Sequence, residues 1–428
     1  MKHAMARLVW AAGMVAALHT FSLCGAEPMP PGARLAIIGD SITEQRIYTR
    51  YMEGYLLACA SRLDVRVFQY GWSGETAGGF AGRLENDLAG FNPTVATTCY
   101  GMNDGQYRPY SEAIGRPYEA NMRKVAAGLQ KIGVQRIVLG SPGAVDTRYF
   151  ARQNFAPLSG AEGYNANLAE LGNINRRLAS ELGLVFADVH QPMIDAMAKA
   201  KAALGQDYDV CGRDGFHPGP NGHLIMAYAF LRALGCDGQI ADLALDMKGR
   251  AIGSTGHRVV SASAGQATFE SVRYPFCHDG DAKSSGGTRS IAPFVPFDAE
   301  LNRFMLKVSG LEAARARVTW GDESREFSRA QLERGVNLAA EFSSTPFDGA
   351  FRRVIEAVSA KQRFETAMIK SMVTQFRQFA QETESSPELA EAFRAVRQRL
   401  LVRQAELDAA VRRAIVPVEH TVRVAPIP

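Results

Sequence analysis

Ser41 and His217 are the residues of this sequence whose types and surroundings best suit nucleophilic chemistry. Ser41 lies in Gly39-Asp40-Ser41-Ile42, directly after an apolar run, and His217 lies in Asp214-Gly215-Phe216-His217-Pro218. Acyl transfer to a hydroxyl needs an imidazole whose tautomer and orientation are fixed by a carboxylate. Asp214, three residues before His217 in a turn, can meet the imidazole without a distant partner. The two segments together predict acyl transfer.

Two further loops carry donors suited to an oxyanion. Tyr70-Gly71-Trp72-Ser73-Gly74-Glu75-Thr76 follows the second apolar run, and Cys99-Tyr100-Gly101-Met102-Asn103-Asp104-Gly105 follows the third. Glycine allows a backbone N–H to approach a ligand closely, and an asparagine offers an amide donor. With the N–H of Ser41, these loops predict three donors that converge on one point, as an oxyanion requires.

An alternation of short apolar runs and helical segments must position these loops. The apolar runs are Arg34–Ile38, Val65–Phe68, Thr94–Cys99, Arg136–Leu139 and Leu184–Ala187; the helical segments include Ile47–Ser61, Tyr118–Lys131, Ala166–Leu182 and one from Pro220 to about Ala233. Near-continuous apolar strands with helical crossovers predict a doubly wound parallel sheet covered on both faces. Such sheets bind ligands at the carboxyl ends of their strands, where all four motifs lie.

In these four motifs the sequence resembles the SGNH (GDSL-type) hydrolase family. The match comprises Gly39-Asp40-Ser41, Gly74 within Ser73-Gly74-Glu75-Thr76, Gly101-Met102-Asn103-Asp104 and Asp214-Gly215-Phe216-His217-Pro218, in order, over roughly residues 33 to 235. Ile42 stands where the family's first motif has leucine, at a position that packs and does not react.

The resemblance implies a flavodoxin-like three-layer αβα fold and serine esterase activity without a metal or other cofactor. It also implies that Ser41 is the nucleophile, His217 the general base and Asp214 its orienting carboxylate. The oxyanion donors would be the backbone N–H groups of Ser41 and Gly74 and the side chain of Asn103.

The chain after this unit changes in character. We predict a hydrolase domain over 27–240, a β-rich accessory segment over 241–345, and a C-terminal helical hairpin and tail over 346–428. Ser385-Ser386-Pro387-Glu388 is typical of a helix start. Two partners remain open for the hairpin: the first domain, or a second copy of the chain in a homo-oligomer.

Residues 1–26 have the features of a signal peptide, which predicts export to the periplasm or the medium. Lys2 and Arg7 precede the mostly apolar run Leu8–Leu23, and Cys24-Gly25-Ala26 supplies small residues for cleavage. A membrane anchor is the alternative, but the run is short for a span of ~20 residues. A lipoprotein is disfavoured because Leu23 is large for the position before Cys24. After leader removal we expect no membrane span.

Composition excludes several classes of protein. Of 428 residues, 46% are hydrophobic and 21% are charged, and the net charge is +4. These values argue against disordered and multi-span membrane chains, and without a basic stripe we expect no nucleic-acid partner. Of the six cysteines, none forms a CxxC pair or a cluster with zinc-ligand spacing. His190 and His223 are predicted to have structural roles.

Aromatic residues near the oxyanion loops bear on the substrate. Trp72, Tyr100 and Tyr107 could form a sugar-stacking wall at a substrate site or could pack internally. With export, they favour a glycan or small-molecule ester as substrate and removal of acetyl groups from a carbohydrate. The alternatives are a lipid or aryl esterase, of the lysophospholipase or thioesterase kind, and a glycan-binding or acyl-transfer protein that does not hydrolyse esters.

Overall fold

A parallel sheet forms the centre of the first half of the molecule. The computed structural model describes residues 27–150 and 160–428. Each of the five expected apolar runs forms one strand: β1 (Arg34–Gly39), β2 (Arg66–Gly71), β3 (Val95–Cys99), β4 (Arg136–Gly140) and β5 (Val185–Ala187). The strands are parallel in the order β2-β1-β3-β4-β5. This is the flavodoxin-like order, and the predicted α/β fold class is confirmed.

Helices cover both faces of this sheet. They are α1 (Ser41–Glu44), α2 (Tyr48–Gly54) with a π-helical continuation at Tyr55–Cys59, α3 (Ala77–Ala81), α4 (Leu84–Leu88), α5 (Glu112–Lys131), α6 (Gly160–Leu182), α7 (His190–Leu204) and α8 (Pro220–Ala233). Because side chains alternate along a strand, Leu35 and Ile37 face the core that contains α2, α7 and α8. Ala36 and Ile38 face the core that contains α3 to α6. The result is a three-layer αβα sandwich.

The strand order determines where a ligand site forms. Chain connections leave β1 toward β2 on one side and return to β3 on the other, so loops diverge between β1 and β3. This reversal opens a crevice at the carboxyl ends of the strands. The loops after β1, β2 and β3 carry Ser41, Gly74 and Asn103.

The second half of the chain adds two more sheets. Its strands are β6 (Gln239–Asp246), β7 (Ala251–Gly253), β8 (His257–Ser263), β9 (Gln266–Ser271), β10 (Arg303–Ser309), β11 (Arg315–Trp320), β12 (Glu323–Ser328), β13 (Val336–Asn337) and β14 (Val418–Ile427). One sheet has the order β13-β10-β6-β7 and the other β12-β11-β14-β9-β8. Short helices α9 (Phe297–Glu300) and α10 (Arg329–Arg334) connect the two sheets, and a third, α11 (Leu338–Glu341), follows β13. The expected boundary at residue 240 falls within β6.

The helical hairpin packs against the αβα sandwich. It consists of α12 (Asp348–Met368), α13 (Ala380–Ser385) and α14 (Pro387–Ala414), and α12 continues as a π-helical turn over Ile369–Thr374 and a 3₁₀ turn over Gln375–Phe379. Ser386 caps α14 by accepting from the N–H of Leu389 at 3.3 Å. From α12, Gln362 Oε1 accepts from Thr49 Oγ1 at 2.6 Å. The first domain is thus one partner of this hairpin.

The C-terminal tail is a strand. β14 lies between β9 and β11 and is antiparallel to both. Val422 and Val424 point into the core, and so does His420. The segment therefore returns to the accessory sheet after the hairpin.

Helix length and polarity bear on the expected absence of a membrane span. Within residues 27–150 and 160–428, no helix combines the length and apolar character that crossing a bilayer requires. The predicted signal peptide lies outside the described residues.

Candidate active site

Ser41 is the first residue of α1, two residues beyond the end of β1. Asp40 caps the helix, and its Oδ1 accepts from the N–H of Ile42 at 3.0 Å. Asp40 is buried, and burial raises the pKa of its carboxyl to about 7. As the first residue of the helix, Ser41 has a backbone N–H without an intrahelical acceptor. Asp40 therefore shapes the turn that presents both the hydroxyl and the N–H of Ser41.

His217 is held by the turn that begins at Asp214. Asp214 Oδ1 accepts from the N–H groups of Phe216 and His217 at 3.1 and 3.0 Å, and Asp214 Oδ2 lies 2.6 Å from His217 Nδ1. Burial opposes ionisation of Asp214, but these hydrogen bonds outweigh it and lower the pKa of the carboxyl below its usual value. Gly215 has φ +81°, and a Cβ there would meet the backbone of Phe150 at 2.5 Å. Glycine is therefore required in this turn.

The imidazole joins this turn to the nucleophile helix. His217 Nε2 lies 2.8 Å from Ser41 Oγ, across 176 residues of sequence. With Nδ1–H directed at Asp214, Nε2 is free to accept the hydroxyl proton of Ser41. The arrangement can move a proton from Ser41 to His217 while Asp214 stabilises the imidazolium, which is the geometry required for nucleophilic acyl transfer.

Gly74 occupies a tight turn after β2. The N–H of Glu75 donates to the carbonyl of Trp72 at 3.2 Å, and Gly74 has φ +74° at the third position. A positive φ at this position is typical of a type II turn and favours glycine. The N–H of Trp72 donates to the carbonyl of Gly39 at 3.0 Å, so the turn is tied to the end of β1.

Asn103 is bonded directly to the Gly74 turn. Its Nδ2 donates to the carbonyl of Glu75 at 2.9 Å, and its Oδ1 accepts from Tyr107 Oη at 3.1 Å. An amide nitrogen carries two hydrogens, so one remains for a ligand. Asp104 braces the same region by accepting from the N–H groups of Ala77 and Gly101 at 3.0 and 3.1 Å. Burial raises the pKa of Asp104 to about 6.

Comparison with known proteins agrees with this geometry. Residues 37–225 match the model of the GDSL-like lipase/acylhydrolase family. This part of the chain is a GDSL-like hydrolase domain. It is a hydrolase of ester bonds.

Two relatives of this GDSL hydrolase extend the comparison. An acetylxylan esterase of Geobacillus stearothermophilus is 26% identical over 227 residues, which are 48% of this chain and 94% of that one. The structure of a gut microbial diltiazem-metabolizing enzyme is 22% identical and has a TM-score of 0.72 over 94% of this chain and 99% of its own. The latter shares the fold, including that of the second half.

The structure separates the three aromatic residues proposed to contact substrate. Tyr100 is fully buried, and its ring stacks on Phe80 at 5.8 Å, so it faces the core of the GDSL domain and not the cleft. Trp72 is partly exposed, but its ring is already contacted by the cations of Arg83 and Lys370, each at 4.7 Å. Tyr107 lies beside the turn that carries His217, with its ring 5.6 Å from that of Phe216.

Glu44 and Tyr107 have site contacts that sequence reasoning did not find. Glu44 accepts from the backbone N–H of Ser73, and Tyr107 donates to Asn103. The sequence offered one indication of a role for Glu44, its position three residues after Ser41. Its partners Ser73 and Lys370 are distant in sequence and could not be predicted. Tyr107 was proposed as a sugar contact, and its hydroxyl bonds the oxyanion loop.

Two histidines have the structural surroundings expected for them. His223 is fully buried between Gln45 Oε1, 2.6 Å from Nε2, and the N–H of Tyr48, 3.3 Å from Nδ1. Burial, together with the nearby charge of Arg50, lowers the pKa of His223 to about 3. His190 Nδ1 lies 3.0 Å from the carbonyl of Gly143. Each ring thus braces a loop near the sheet edge.

The side chains that could bind a metal ion do not cluster in the described part of the chain. Across residues 27–150 and 160–428, no group of three or more His, Cys, Asp or Glu residues has a suitable arrangement. The five cysteines in these ranges carry free thiols: Cys59, Cys99, Cys211, Cys236 and Cys277.

Proposed function

We propose that this GDSL hydrolase is an exported esterase that removes acetyl groups from a carbohydrate through an acyl-enzyme. The hydrogen-bonded series Ser41–His217–Asp214 carries the chemical part of this proposal, with contacts of 2.8 and 2.6 Å. In the proposed reaction Ser41 Oγ attacks the ester carbonyl as its proton passes to His217 Nε2. When the C–O bond to the sugar breaks, His217 gives this proton to the departing sugar oxygen, which leaves as a hydroxyl.

Three donors would stabilise the tetrahedral oxyanion of this reaction. They are the backbone N–H groups of Ser41 and Gly74 and the second amide hydrogen of Asn103. Each donor of this kind typically contributes about 10²–10³ in rate. Water then attacks the acetyl-enzyme with His217 as general base, and acetate leaves as Ser41 recovers its proton.

The relative from Geobacillus supports the choice of substrate. It is an acetylxylan esterase, and its similarity to this chain covers 94% of its own length. An acetylated xylo-oligosaccharide is therefore the first substrate class to test.

Acetate release from a panel of acetylated oligosaccharides tests the proposal. We expect wild type to release acetate and Ser41→Ala to lose at least about 10³-fold in kcat, since the nucleophile is removed. Ser263→Ala, at an exposed serine on β8, is the matched control and retains full activity.

Two results would contradict this function. Near wild-type turnover in Ser41→Ala would show that another group is the nucleophile. A preference for long-chain over short-chain nitrophenyl esters, without acetate release from any glycan, would favour a lipid esterase with the same catalytic residues.

Export is a separate part of the proposal. Met29 is buried, and its carbonyl accepts from Arg62 Nη1 at 2.9 Å, contacts that a chain beginning at Glu27 retains. We expect the protein recovered from periplasm or medium to begin at Glu27, as determined by N-terminal sequencing. An intact Met1 in the membrane fraction would instead indicate an anchor.

A further inference from the structure

Lys370 lies outside the region that matches the family model but contacts α1, the helix that begins at Ser41. It lies in the π-helical turn Ile369–Thr374, more than 140 residues beyond the end of that match at residue 225. Its Nζ lies 2.6 Å from Glu44 Oε1, across 326 residues of sequence. π-Helical turns inside longer helices frequently mark functional sites. The ion pair is partly buried, with side-chain exposures of 25% and 22%.

Glu44 also contacts the loop after β2 that carries Gly74. It is the last residue of α1, the helix that begins at Ser41, and its Oε2 accepts from the backbone N–H of Ser73. Ser73 immediately precedes Gly74. One carboxylate therefore connects the nucleophile helix, the turn that holds the proposed oxyanion donor and a lysine of the hairpin.

Cations also contact the tryptophan that begins this turn. Lys370 Nζ and the guanidinium carbon of Arg83 each lie 4.7 Å from the centre of the Trp72 ring. On the other side of Gly74, Arg83 Nε pairs with Glu75 Oε2 at 2.6 Å. Ion-paired groups thus hold the residues on both sides of Gly74.

The helix that carries Lys370 is itself fixed to the first domain. Thr366 Oγ1 donates to Gln69 Oε1 on β2 at 2.9 Å, and Gln69 Nε2 donates to the carbonyl of Thr43 at 2.7 Å. Beyond Lys370, Thr374 Oγ1 donates to Asp87 Oδ1 at 2.9 Å. Contacts on both sides of Lys370 therefore restrict its position.

The charge of Lys370 matters as well as its position. Glu44 Oε2 accepts from the N–H of Ser73, one residue before the proposed oxyanion donor Gly74. Unpaired, a partly buried carboxylate there would oppose the oxyanion, because Coulomb repulsion is weakly screened away from bulk water. Lys370 neutralises this carboxylate and leaves it able to accept from Ser73.

We propose that Lys370 is a positioning residue of the esterase reaction, which holds the oxyanion turn through Glu44 and cancels the charge of that carboxylate. The inference rests on the proposed function, since it assumes that Ser41 is the nucleophile and Gly74 an oxyanion donor. It assigns a role in catalysis to the hairpin, which the family match does not include.

Steady-state kinetics on a short-chain nitrophenyl ester test this role. We expect Lys370→Met to lower kcat about tenfold and to leave KM within about twofold. The effect is smaller than the about 10²–10³-fold loss that follows removal of a whole oxyanion donor, because the donor is displaced and not removed. Lys370→Arg retains the charge and stays within about threefold of wild type. Lys199→Met, at an exposed lysine on α7, is the matched control and keeps wild-type kinetics.

A double variant separates charge from loss of packing. Glu44→Gln retains an acceptor for Ser73 and removes the charge, so Glu44→Gln/Lys370→Met should be at least about threefold more active than Lys370→Met alone. The inference is overturned if Lys370→Met keeps wild-type kcat. It is also overturned if Lys370→Arg is as impaired as Lys370→Met and the double variant shows no recovery.

Ser41→Ala in the same assay distinguishes this inference from the function on which it rests. If Ser41→Ala is inactive while Lys370→Met is normal, only the role of Lys370 fails. If Ser41→Ala remains active, the proposed nucleophile fails, and with it the premise for Lys370.

Discussion

Tyr107 shows how one hydroxyl can orient a proposed oxyanion donor. Its Oη donates to Asn103 Oδ1 at 3.1 Å, while Asn103 Nδ2 donates to the carbonyl of Glu75 at 2.9 Å. Because both the Oδ1 and the Nδ2 of Asn103 are hydrogen-bonded, the plane of the side-chain amide is fixed. The second N–H of Nδ2 therefore points in a fixed direction. Tyr107 itself has φ +56°, an uncommon conformation for a non-glycine residue. The local backbone thus adopts a costly conformation where the hydroxyl meets Asn103.

Removing that hydroxyl should slow catalysis without weakening substrate binding. In Tyr107→Phe the ring still packs on Tyr164, at 5.2 Å between centroids. Loss of one hydrogen bond of about 1 kcal/mol predicts a roughly fivefold lower kcat, with KM within about twofold. Kinetics on a short-chain ester measure both constants.

Tyr110→Phe is the control, because its hydroxyl lies 3.5 Å from Glu112, at the limit of a hydrogen bond. A raised KM with unchanged kcat in Tyr107→Phe would mean that Tyr107 contacts the substrate and does not orient Asn103.

Single residues also show why the sequence predicted the nucleophile more readily than the aromatic contacts. Ser41, Asp214 and His217 lie in short motifs, so residue type and spacing carry the information, and a local turn places Asp214 against His217. Tyr100 follows β3 directly, and whether it faces the cleft or the core depends on one step of strand alternation. Phe80, which lies against its ring, is on a separate helix.

At the scale of elements, the parallel sheet was predictable because its central strands are buried on both faces. Mostly apolar runs such as Arg34–Gly39 and Val95–Cys99 stand out from the amphipathic helices between them. β14 was not predicted as a strand. Its inward positions include His420, which accepts from Trp320 Nε1 at 3.0 Å, so a polar residue interrupts the apolar alternation.

The partners of β14 were also beyond sequence reasoning. β14 pairs with β9, about 150 residues earlier in the chain. Periodicity reports which face of a segment is buried but not which segment lies beside it. For the same reason, the sequence left open whether the hairpin packs on the first domain or on a second copy.

At the scale of the whole molecule, Lys361 joins the hairpin to the catalytic domain. Its Nζ is fully buried, lies 2.9 Å from both Glu53 Oε1 and Glu365 Oε1, and donates to the carbonyl of Val67 on β2 at 2.6 Å. Burial disfavours the charge on Lys361, but the two carboxylates outweigh this and raise its pKa. Two carboxylates and one ammonium thus share a fully buried site, in contact with the strand that leads to Gly74.

Lys361→Met should destabilise the whole protein, and more strongly at alkaline pH. Burial already raises the pKa of Glu365 to about 7 and raises that of Glu53. Without the ammonium both pKa values rise further, so between pH 5 and 8 the native state binds more protons than the unfolded state, and stability falls as pH rises. We expect a loss of roughly 3–5 kcal/mol at pH 8, as for other broken buried ion pairs, and a smaller loss at pH 5.

Urea unfolding at both pH values measures this difference, with Lys199→Met as the control for loss of an exposed lysine. Adding Glu365→Gln to Lys361→Met should restore part of the stability at pH 8, because one unpaired carboxylate is removed. An equal loss of stability at both pH values would contradict the role of charge. It would attribute the loss to poorer packing and to the missing hydrogen bond between Lys361 and the carbonyl of Val67. If the loss of stability does depend on pH, the buried charges around Lys361 fix α12 to the catalytic domain. The continuation of α12 brings Lys370 to Glu44, so the stability of the protein and its turnover depend on the same interface.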